Sequence, residues 1–164
     1  MYKKTIKRGE RNFNYYIYVD YSENLIGYII IERNKIEELI PKISRFRHYR
    51  QSKNRKIYLK HINDTIKKEK IYSSLLEFKI KEMHESIEVY ANVLDFVKRH
   101  DKCVIFISID DKQYIKFKKL VSIINDGKTV VVKESDLKRG TVEYQMSLII
   151  DNALNVERRQ RKKR

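Results

Sequence analysis

Several acidic side chains stand at positions where a folded chain could bring them together to do chemistry. Asp20 ends one apolar segment, Asp110 and Asp111 end a later one, and Glu88 and Asp151 lie in segments with helical spacing. Ligand sites of open sheets form beyond the strand ends where the chain order switches, so these acids could converge. Carboxylates at close range raise one another's pKa, and a cluster of them therefore calls for a cation.

Such a cluster favours a hard divalent ion. Oxygen ligands select Mg²⁺ or Mn²⁺, and two such ions can stabilise both the attacking and the leaving oxygen of a phosphoryl transfer. Each acid also has a plainer interpretation. Asp20 could be a turn residue, and Asp110 or Asp111 could cap a helix. Glu88 and Asp151 could belong to solvated helix faces.

Other common site chemistries have little support. The single cysteine, Cys103, allows neither an intrachain disulfide nor a cysteine-based zinc site, and its apolar surroundings predict an inert core thiol. The four histidines lack a ligand spacing such as H-x3-H. No glycine-rich phosphate loop of the G-x4-G-K-[ST] or G-x-G-x-x-G type occurs.

The charge balance predicts a polyanionic partner. The 164 residues include 37 Lys and Arg against 22 Asp and Glu, a formal net charge of +15. A domain this basic usually binds nucleic acid, RNA or DNA, although a charge-rich thermophilic surface is the alternative. A basic cluster at residues 42–56 is interleaved with aromatic rings, as suits a single strand or a phosphate backbone. The plainer interpretation is a solvated helix end. The contacts predicted there are Arg45, Arg47, Tyr49, Arg50, Lys53 and Arg55.

Both ends of the sequence are basic. Residues 158–164 carry six Arg or Lys and no acid, which predicts a solvated tail that contacts phosphates. The contacts predicted in it are Arg158, Arg159, Arg161 and Lys162. Residues 1–12 are expected to form a loose basic arm. No apolar stretch follows the first residues, and the longest apolar run, 25–31, is too short to cross a bilayer. We therefore expect a cytoplasmic protein with no membrane and no disulfide-linked partner.

The strands that must position these residues follow from hydrophobic spacing. Aromatic and β-branched segments predict strands at 13–20 and 25–32, joined as a hairpin across a short polar break. Residues 55–62 alternate in hydrophobicity and predict a third strand. Nearly continuous apolar runs at 103–109 and 129–133 predict strands that are covered on both faces.

Helical spacing accounts for most of the remainder. It predicts a short helix at 37–43, interrupted by a proline, and a helical region at 64–100 that is divided or bent near its middle. Two further helices are predicted at 113–124 and from 142 to about 158.

The resulting order, β-β-β-α-β-α-β-α, predicts an α/β fold with a single mixed sheet flanked by helices. The three early strands should form an antiparallel meander. The strand at 103–109 should be central and parallel to the first strand, because helical crossovers favour parallel pairing. We expect one domain at 13–157 with a basic insertion at 33–55.

The element order and the acid spacing resemble the ribonuclease H-like superfamily. D-Y-S at residues 20–22 is similar to that superfamily's D-x-S strand end, and D-K-Q-Y at 111–114 is similar to the D-x-Q-Y of ribonuclease H. Glu88 precedes Asp110 by 22 residues, close to the family's spacing, and Asp151 lies in the region of the fourth acid.

The resemblance implies a metal-dependent nuclease in which four carboxylates hold one or two Mg²⁺ or Mn²⁺ ions. The acids implied are Asp20, Glu88, one of Asp110 and Asp111, and Asp151. The spacing favours Asp110 and the D-x-Q-Y motif favours Asp111, so both stay open. Two other functions also stay open: a non-catalytic nucleic-acid-binding module on the same fold, and a structural ribonucleoprotein component.

Overall fold

A computed structural model describes residues 13–125 and 127–162. The predicted arm at 1–12 and the last two residues lie outside this part of the chain. The described strands are β1 (Tyr15–Ser22), β2 (Leu25–Glu32), β3 (Glu77–Glu82), β4 (Cys103–Ile107) and β5 (Val130–Lys133). The α-helices are α1 (Ile36–Lys42), α2 (Arg55–Lys68), α3 (Ser86–Arg99), α4 (Asp111–Asn125) and α5 (Val142–Lys162). Within these ranges no helix is long and apolar enough to span a membrane.

The strands form one mixed sheet in the order β3-β2-β1-β4-β5. β1 is antiparallel to β2 and parallel to β4, β2 is antiparallel to β3, and β4 is parallel to β5. The predicted hairpin is thus confirmed, and so is the internal position of β4 beside the first strand. β4 is apolar throughout because helices cover both of its faces, and all five of its residues are buried.

Alternate residues of β1 enter two separate cores on opposite faces of the sheet. Tyr16 and Tyr18 pack on the face that is covered by α1, α2 and α5. Ile17 and Val19 pack on the face that is covered by α3 and α4. Since successive side chains of a strand point to opposite faces, Asp20 shares the α5 face with Tyr18. This parity decides which other acids Asp20 can meet.

The prediction of a strand at 55–62 is wrong, because these residues form the first half of α2. The side-chain oxygen of Asn54 accepts a hydrogen bond from the backbone N–H of Ile57 at 3.2 Å and so caps the helix. Ile57 is 53% exposed, which breaks the alternation on which the prediction depended. The buried side chains of α2 recur at helical spacing: Tyr58, Leu59, Ile62 and Ile66.

The third strand is instead β3, which lies inside the region predicted as helical. Phe78 and Ile80 alternate with charged neighbours, and they pack against the α5-side core from the edge of the sheet. The helical region at 64–100 is therefore divided by a strand, with α2 before it and α3 after it.

The predicted tail is, as far as Lys162, the last part of α5. Arg158 is only 9% exposed, and Arg161 forms an ion pair of 3.0 Å with Glu157 one turn earlier. Cations at a helix C-terminus are stabilised by the helix dipole, so the basic run extends the helix rather than leaving it.

Candidate active site

A cleft of about 570 Å³ opens where the carboxyl ends of β1, β4 and β5 face α5. Four acids line it. Asp20 in β1, Glu134 directly after β5 and Asp151 in α5 come from separate elements, whereas Glu23, in the turn after β1, pairs with Arg158. Asp151 is buried, while Asp20 and Glu134 are half-buried. The cleft lies where a parallel sheet commonly places its ligand site, beyond the strand ends.

Local backbone structure fixes the direction of Asp20. The backbone N–H of Ser108 donates to the carbonyl of Val19 at 3.0 Å and continues the pairing of β1 with β4. The backbone N–H of Tyr21 donates to Oδ1 of Asp20 at 2.8 Å. Asp20 is therefore held at the cleft by the sheet itself.

The three carboxylates act on one another electrostatically. Burial raises the pKa of Asp20 well above its ordinary value, and the charges of Asp151 and Glu134 raise it further against hydrogen bonds from Tyr21 and Ser108. Burial also raises the pKa of Glu134, where His48 opposes the shift and Asp151 adds to it. Negative charge on these carboxylates is therefore unfavourable, and a nearby cation would offset it.

Asp151 has contacts at both of its carboxylate oxygens. Burial raises its pKa. The charges of His48 and Arg50 and the hydrogen bond from the Tyr49 N–H act to lower it. The Tyr49 N–H donates to Oδ2 at 3.0 Å, and Nε2 of His48 lies 3.4 Å from Oδ1. Both carboxylate oxygens thus contact the loop that precedes α2.

The same loop is fastened to α5 at further points. The side-chain amide of Asn152 donates to the carbonyl of Arg47 at 3.1 Å. The amide of Gln145 donates to the carbonyls of Ile43 at 2.6 Å and Phe46 at 3.0 Å. These buried polar side chains fix the position of the loop against the helix that carries Asp151.

Cations form the rim of the cleft. Arg158 is anchored by Oε1 of Glu23 at 3.2 Å and by Oδ1 of Asn155 at 3.0 Å. The guanidinium groups of Arg158 and Arg55 lie 5.5 Å and 5.3 Å from the ring centroid of Tyr49. Burial alone would raise the pKa of Tyr49, but the guanidinium of Arg158 lowers it. Arg50 also lines the cleft.

The other acids predicted from the sequence lie outside the cleft. Glu88 is exposed on α3, which packs on the opposite face of the sheet, and lies 3.2 Å from Nζ of Lys81. Asp110 is exposed, and its Oδ1 accepts the backbone N–H of Gln113 at 2.8 Å, as in a helix cap. Asp111 is exposed and forms an ion pair with Lys133.

The predicted basic contacts divide between two surfaces. Tyr49, Arg50, Arg55 and Arg158 line the cleft. Arg45, Arg47 and Lys53 line a neighbouring groove. Arg159 acts on Tyr49, whereas Arg161 pairs with Glu157 and Glu82, and Lys162 lies 3.5 Å from Glu23.

Glu134 is the site acid that sequence reasoning missed. It directly follows the buried-type segment that forms β5, just as Asp110 follows β4. The rule that acids after parallel strands can meet at one edge would have selected it. The role of His48 could not be predicted either, because its partner is an acid more than a hundred positions away in the sequence.

The donor chemistry of the cleft fits a hard divalent cation, since it offers three oxygen ligands whose charges repel one another. In the conformation described, no three His, Cys, Asp or Glu side chains of residues 13–125 and 127–162 are arranged to hold a metal ion. In this conformation both carboxylate oxygens of Asp151 contact His48 and Tyr49.

The strand order and the flanking helices define an α/β fold of the ribonuclease H-like type. A similar solved structure is the ribonuclease H2 from Pyrococcus horikoshii OT3, with a TM-score of 0.54 and 13% sequence identity. The aligned region covers 89% of this chain and 72% of that one. No protein-family model and no curated protein matches the chain. The likeness shows the fold, and it confirms the remote ribonuclease H-like resemblance.

Proposed function

We propose that the protein is a divalent-metal-dependent nuclease that hydrolyses phosphodiester bonds of RNA, DNA or a hybrid. The observation that carries this proposal is the convergence of Asp20, Glu134 and Asp151 in one cleft at the carboxyl edge of the sheet. The mutual effect of these acids on their pKa values supports it, because a cation would relieve their repulsion.

In this proposal Asp20, Glu134 and Asp151 would hold Mg²⁺ or Mn²⁺. The bound ion would supply an activated water and stabilise the negative charge that develops on the phosphate. Glu88, Asp110 and Asp111 have no part in this proposal, because they are exposed and lie outside the cleft.

The chain's own cations would bind and orient the substrate. Arg158 is held by Glu23 and Asn155 with its guanidinium at the cleft, where it can contact a phosphate oxygen. Arg50 and Arg55 add positive charge to the same rim. Phosphate contacts of this kind position a nucleic acid without reading its sequence.

A cleavage assay tests the proposal. End-labelled single-stranded RNA, single-stranded DNA, hybrid, duplex and junction are incubated with Mg²⁺, with Mn²⁺ and with EDTA. We expect metal-dependent cleavage of at least one substrate. Asp20→Asn, Glu134→Gln and Asp151→Asn should each lower the rate by about 100-fold or more, as when one charge-stabilising group is removed from an active site.

Matched control variants separate the cleft acids from acids elsewhere. Asp111→Asn and Glu88→Gln remove the same charge from exposed positions outside the cleft and should retain full activity. Equal cleavage by wild type and Asp20→Asn would exclude the proposed role of Asp20. A wild type that cleaves none of the substrates would contradict the nuclease function.

A non-catalytic nucleic-acid-binding module is the second candidate. It is favoured by the arrangement of the described residues, in which no three His, Cys, Asp or Glu side chains are placed to hold a metal ion. A module of this kind would bind nucleic acid equally well with and without Mg²⁺ and would leave every substrate intact.

A further inference from the structure

A second groove lies beside the cleft, against the first turns of α2. Its volume is about 830 Å³. Arg45, Arg47 and Lys53 line it together with Ile57 and Tyr58, and no Asp or Glu is among its described lining residues. A groove with several cations and no acid is complementary to a polyanion.

The cations of this groove are not neutralised within the described structure. Arg45 and Lys53 are exposed, and neither forms an ion pair with a described acid. Arg47 is braced in place, because its Nε donates to Oγ of Ser52 at 3.2 Å and its guanidinium lies 5.1 Å from the ring centroid of Tyr58. The positive charge of the groove is therefore available to a ligand.

The groove also offers apolar surface to that ligand. Ile57 is 53% exposed on α2 and supplies most of this surface, because Tyr58 and Ile62, which also line the groove, are buried. Phosphates are bound by cations, whereas unpaired bases are bound by apolar and aromatic surface. The combination suits a single strand better than a duplex, whose bases are stacked inside the helix and cannot reach such a surface.

The groove and the cleft share one ridge, formed by residues 47–50. Arg47 faces the groove, whereas His48, Tyr49 and Arg50 line the cleft. The hydroxyl of Tyr58 donates to the carbonyl of Arg47 at 2.7 Å and fixes the ridge on the groove side. A strand that crosses the ridge therefore passes directly from one site to the other.

We propose that this groove binds a single-stranded stretch of polynucleotide that flanks the bond held in the acidic cleft. The substrate class is then single-stranded nucleic acid, or a duplex with a single-stranded overhang. This inference rests on the proposed nuclease function for the chemistry, but the binding it describes can be measured without cleavage.

The first experiment measures fluorescence anisotropy in EDTA with labelled oligo(dT), labelled oligo(U) and a blunt duplex of equal length. The double variant Arg45→Ala, Lys53→Ala should reduce the salt slope of single-strand binding by about 1.4, or about 0.7 for each lost phosphate contact. If the affinities converge near 1 M salt, this slope corresponds to about 25-fold weaker binding at about 0.1 M.

The matched control is the double variant Lys116→Ala, Lys119→Ala. It removes the same charge from exposed positions of α4, on the opposite face of the sheet. We expect it to leave single-strand binding within about twofold of wild type, because charges beyond a Debye length are largely screened. Equal weakening by both double variants would overturn the groove, since net charge alone would then explain binding.

A second pair of variants tests the apolar surface. Ile57→Glu places a negative charge in the groove, and Ile123→Glu places one at a position that is 77% exposed on α4. Ile57→Glu should weaken single-strand binding at least several-fold, while Ile123→Glu should not. If the protein binds the blunt duplex more tightly than it binds oligo(dT) or oligo(U), the inference would also be overturned.

The two proposals fail in different ways. In one outcome, cleavage depends on Asp20 but is unchanged by the groove variants and is equal for single strands and duplexes. This result would support the nuclease function and contradict single-strand binding in the groove. In the other outcome, the groove variants weaken single-strand binding but the wild type cleaves none of the substrates. This result would support binding in the groove and contradict the nuclease function.

Discussion

Asp20 lies at a position where the fold makes its negative charge unfavourable. It shares the α5 face of β1 with buried tyrosines and meets two further acids in the cleft. A turn residue at a strand end needs none of these neighbours. In the proposed nuclease, a bound cation would offset this charge.

Asp20→Asn should therefore raise thermal stability at neutral pH. The folded-state pKa of Asp20 lies above its unfolded value near 4, so the folded protein loses stability as pH rises through the interval between the two. Asn keeps the shape and the hydrogen bond from the Tyr21 N–H but removes the charge. The gain in melting temperature should be present near pH 7 and should disappear below about pH 4.

Melting curves of wild type and variant across this pH range check the prediction. Asp111→Asn serves as the control, because Asp111 lies outside the cleft and pairs with Lys133. A stability difference for Asp20→Asn that is independent of pH would contradict the prediction.

Arg158 and Lys162 both contact Glu23 and differ in burial. The side chain of Arg158 is 10% exposed and also donates to Asn155, whereas that of Lys162 is 64% exposed. We expect Arg158→Ala to lower the free energy of unfolding by about 1–3 kcal/mol, because it removes two hydrogen bonds and the packing of a largely buried side chain against Tyr49. Lys162→Ala should cost less than about 0.5 kcal/mol. Urea unfolding distinguishes the two, and equal losses would argue against a structural anchor at Arg158.

At the scale of elements, Gly27 allows both β3 and α5 to lie close to β2. Gly27 pairs in register with Asp20 on the adjacent strand. A Cβ at this position would lie 2.8 Å from the carbonyl oxygen of Lys79 and 3.2 Å from Cδ1 of Ile150. Only a residue without a side chain allows both contacts, and Ile150 immediately precedes the catalytic candidate Asp151.

Gly27→Ala should therefore destabilise the fold by about 1–3 kcal/mol, the usual cost of overpacking a core. The added carbon would press on the backbone of β3 and on Ile150, the neighbour of Asp151 in α5, so any metal-dependent cleavage should fall together with stability. Chemical denaturation and the cleavage assay measure the two effects. An unchanged unfolding midpoint would show that the backbone tolerates the extra carbon.

The sheet could be predicted where apolar patterns were long and unambiguous. The buried run that became β4 gave both its position and its pairing with β1. Residues 55–62 were wrongly predicted as a strand, because a short amphipathic helix can show the same alternation of apolar and polar residues when one apolar residue, Ile57, faces solvent. β3 was hidden, because an edge strand with half-buried residues has too weak a pattern to stand out between two helices.

The site was only partly predictable, because it depends on which face of the sheet each acid occupies. Asp20 and Asp151 were selected from their elements, and the structure brings them to one cleft. Glu88 had suitable spacing in the sequence but lies on α3, behind the sheet. To separate Glu88 from Asp151, one must know which face of β1 Asp20 occupies and on which side of the sheet each helix packs. The local spacing of residues does not give this information.

At the scale of the whole molecule, the acid cluster should couple metal binding to stability. If the cleft binds Mg²⁺ only in the folded state, a tenfold excess over the dissociation constant stabilises the protein by about 1.4 kcal/mol. For a chain of this size that corresponds to a rise in melting temperature of about 3–6 °C.

Thermal scans with Mg²⁺ and after chelation check this coupling. Wild type should melt at a lower temperature after EDTA treatment, and the double variant Asp20→Asn, Glu134→Gln should respond to neither condition. A similar rise in wild type and double variant would place the ion elsewhere.

The pairing of β1 with α5 also determines when the acid cluster can form during synthesis. The hydroxyl of Tyr18 donates to the carbonyl of Glu143 at 3.0 Å, and α5 covers the face of β1 and β2 that bears Asp20. β1 emerges from the ribosome long before α5, so this face lacks the part of its cover that α5 supplies while the intervening elements are made. Contacts between distant segments form slowly, and uncovered apolar strands are prone to aggregate. We therefore expect nascent chains that lack α5 to associate with chaperones, with the cleft assembling only when the helix docks.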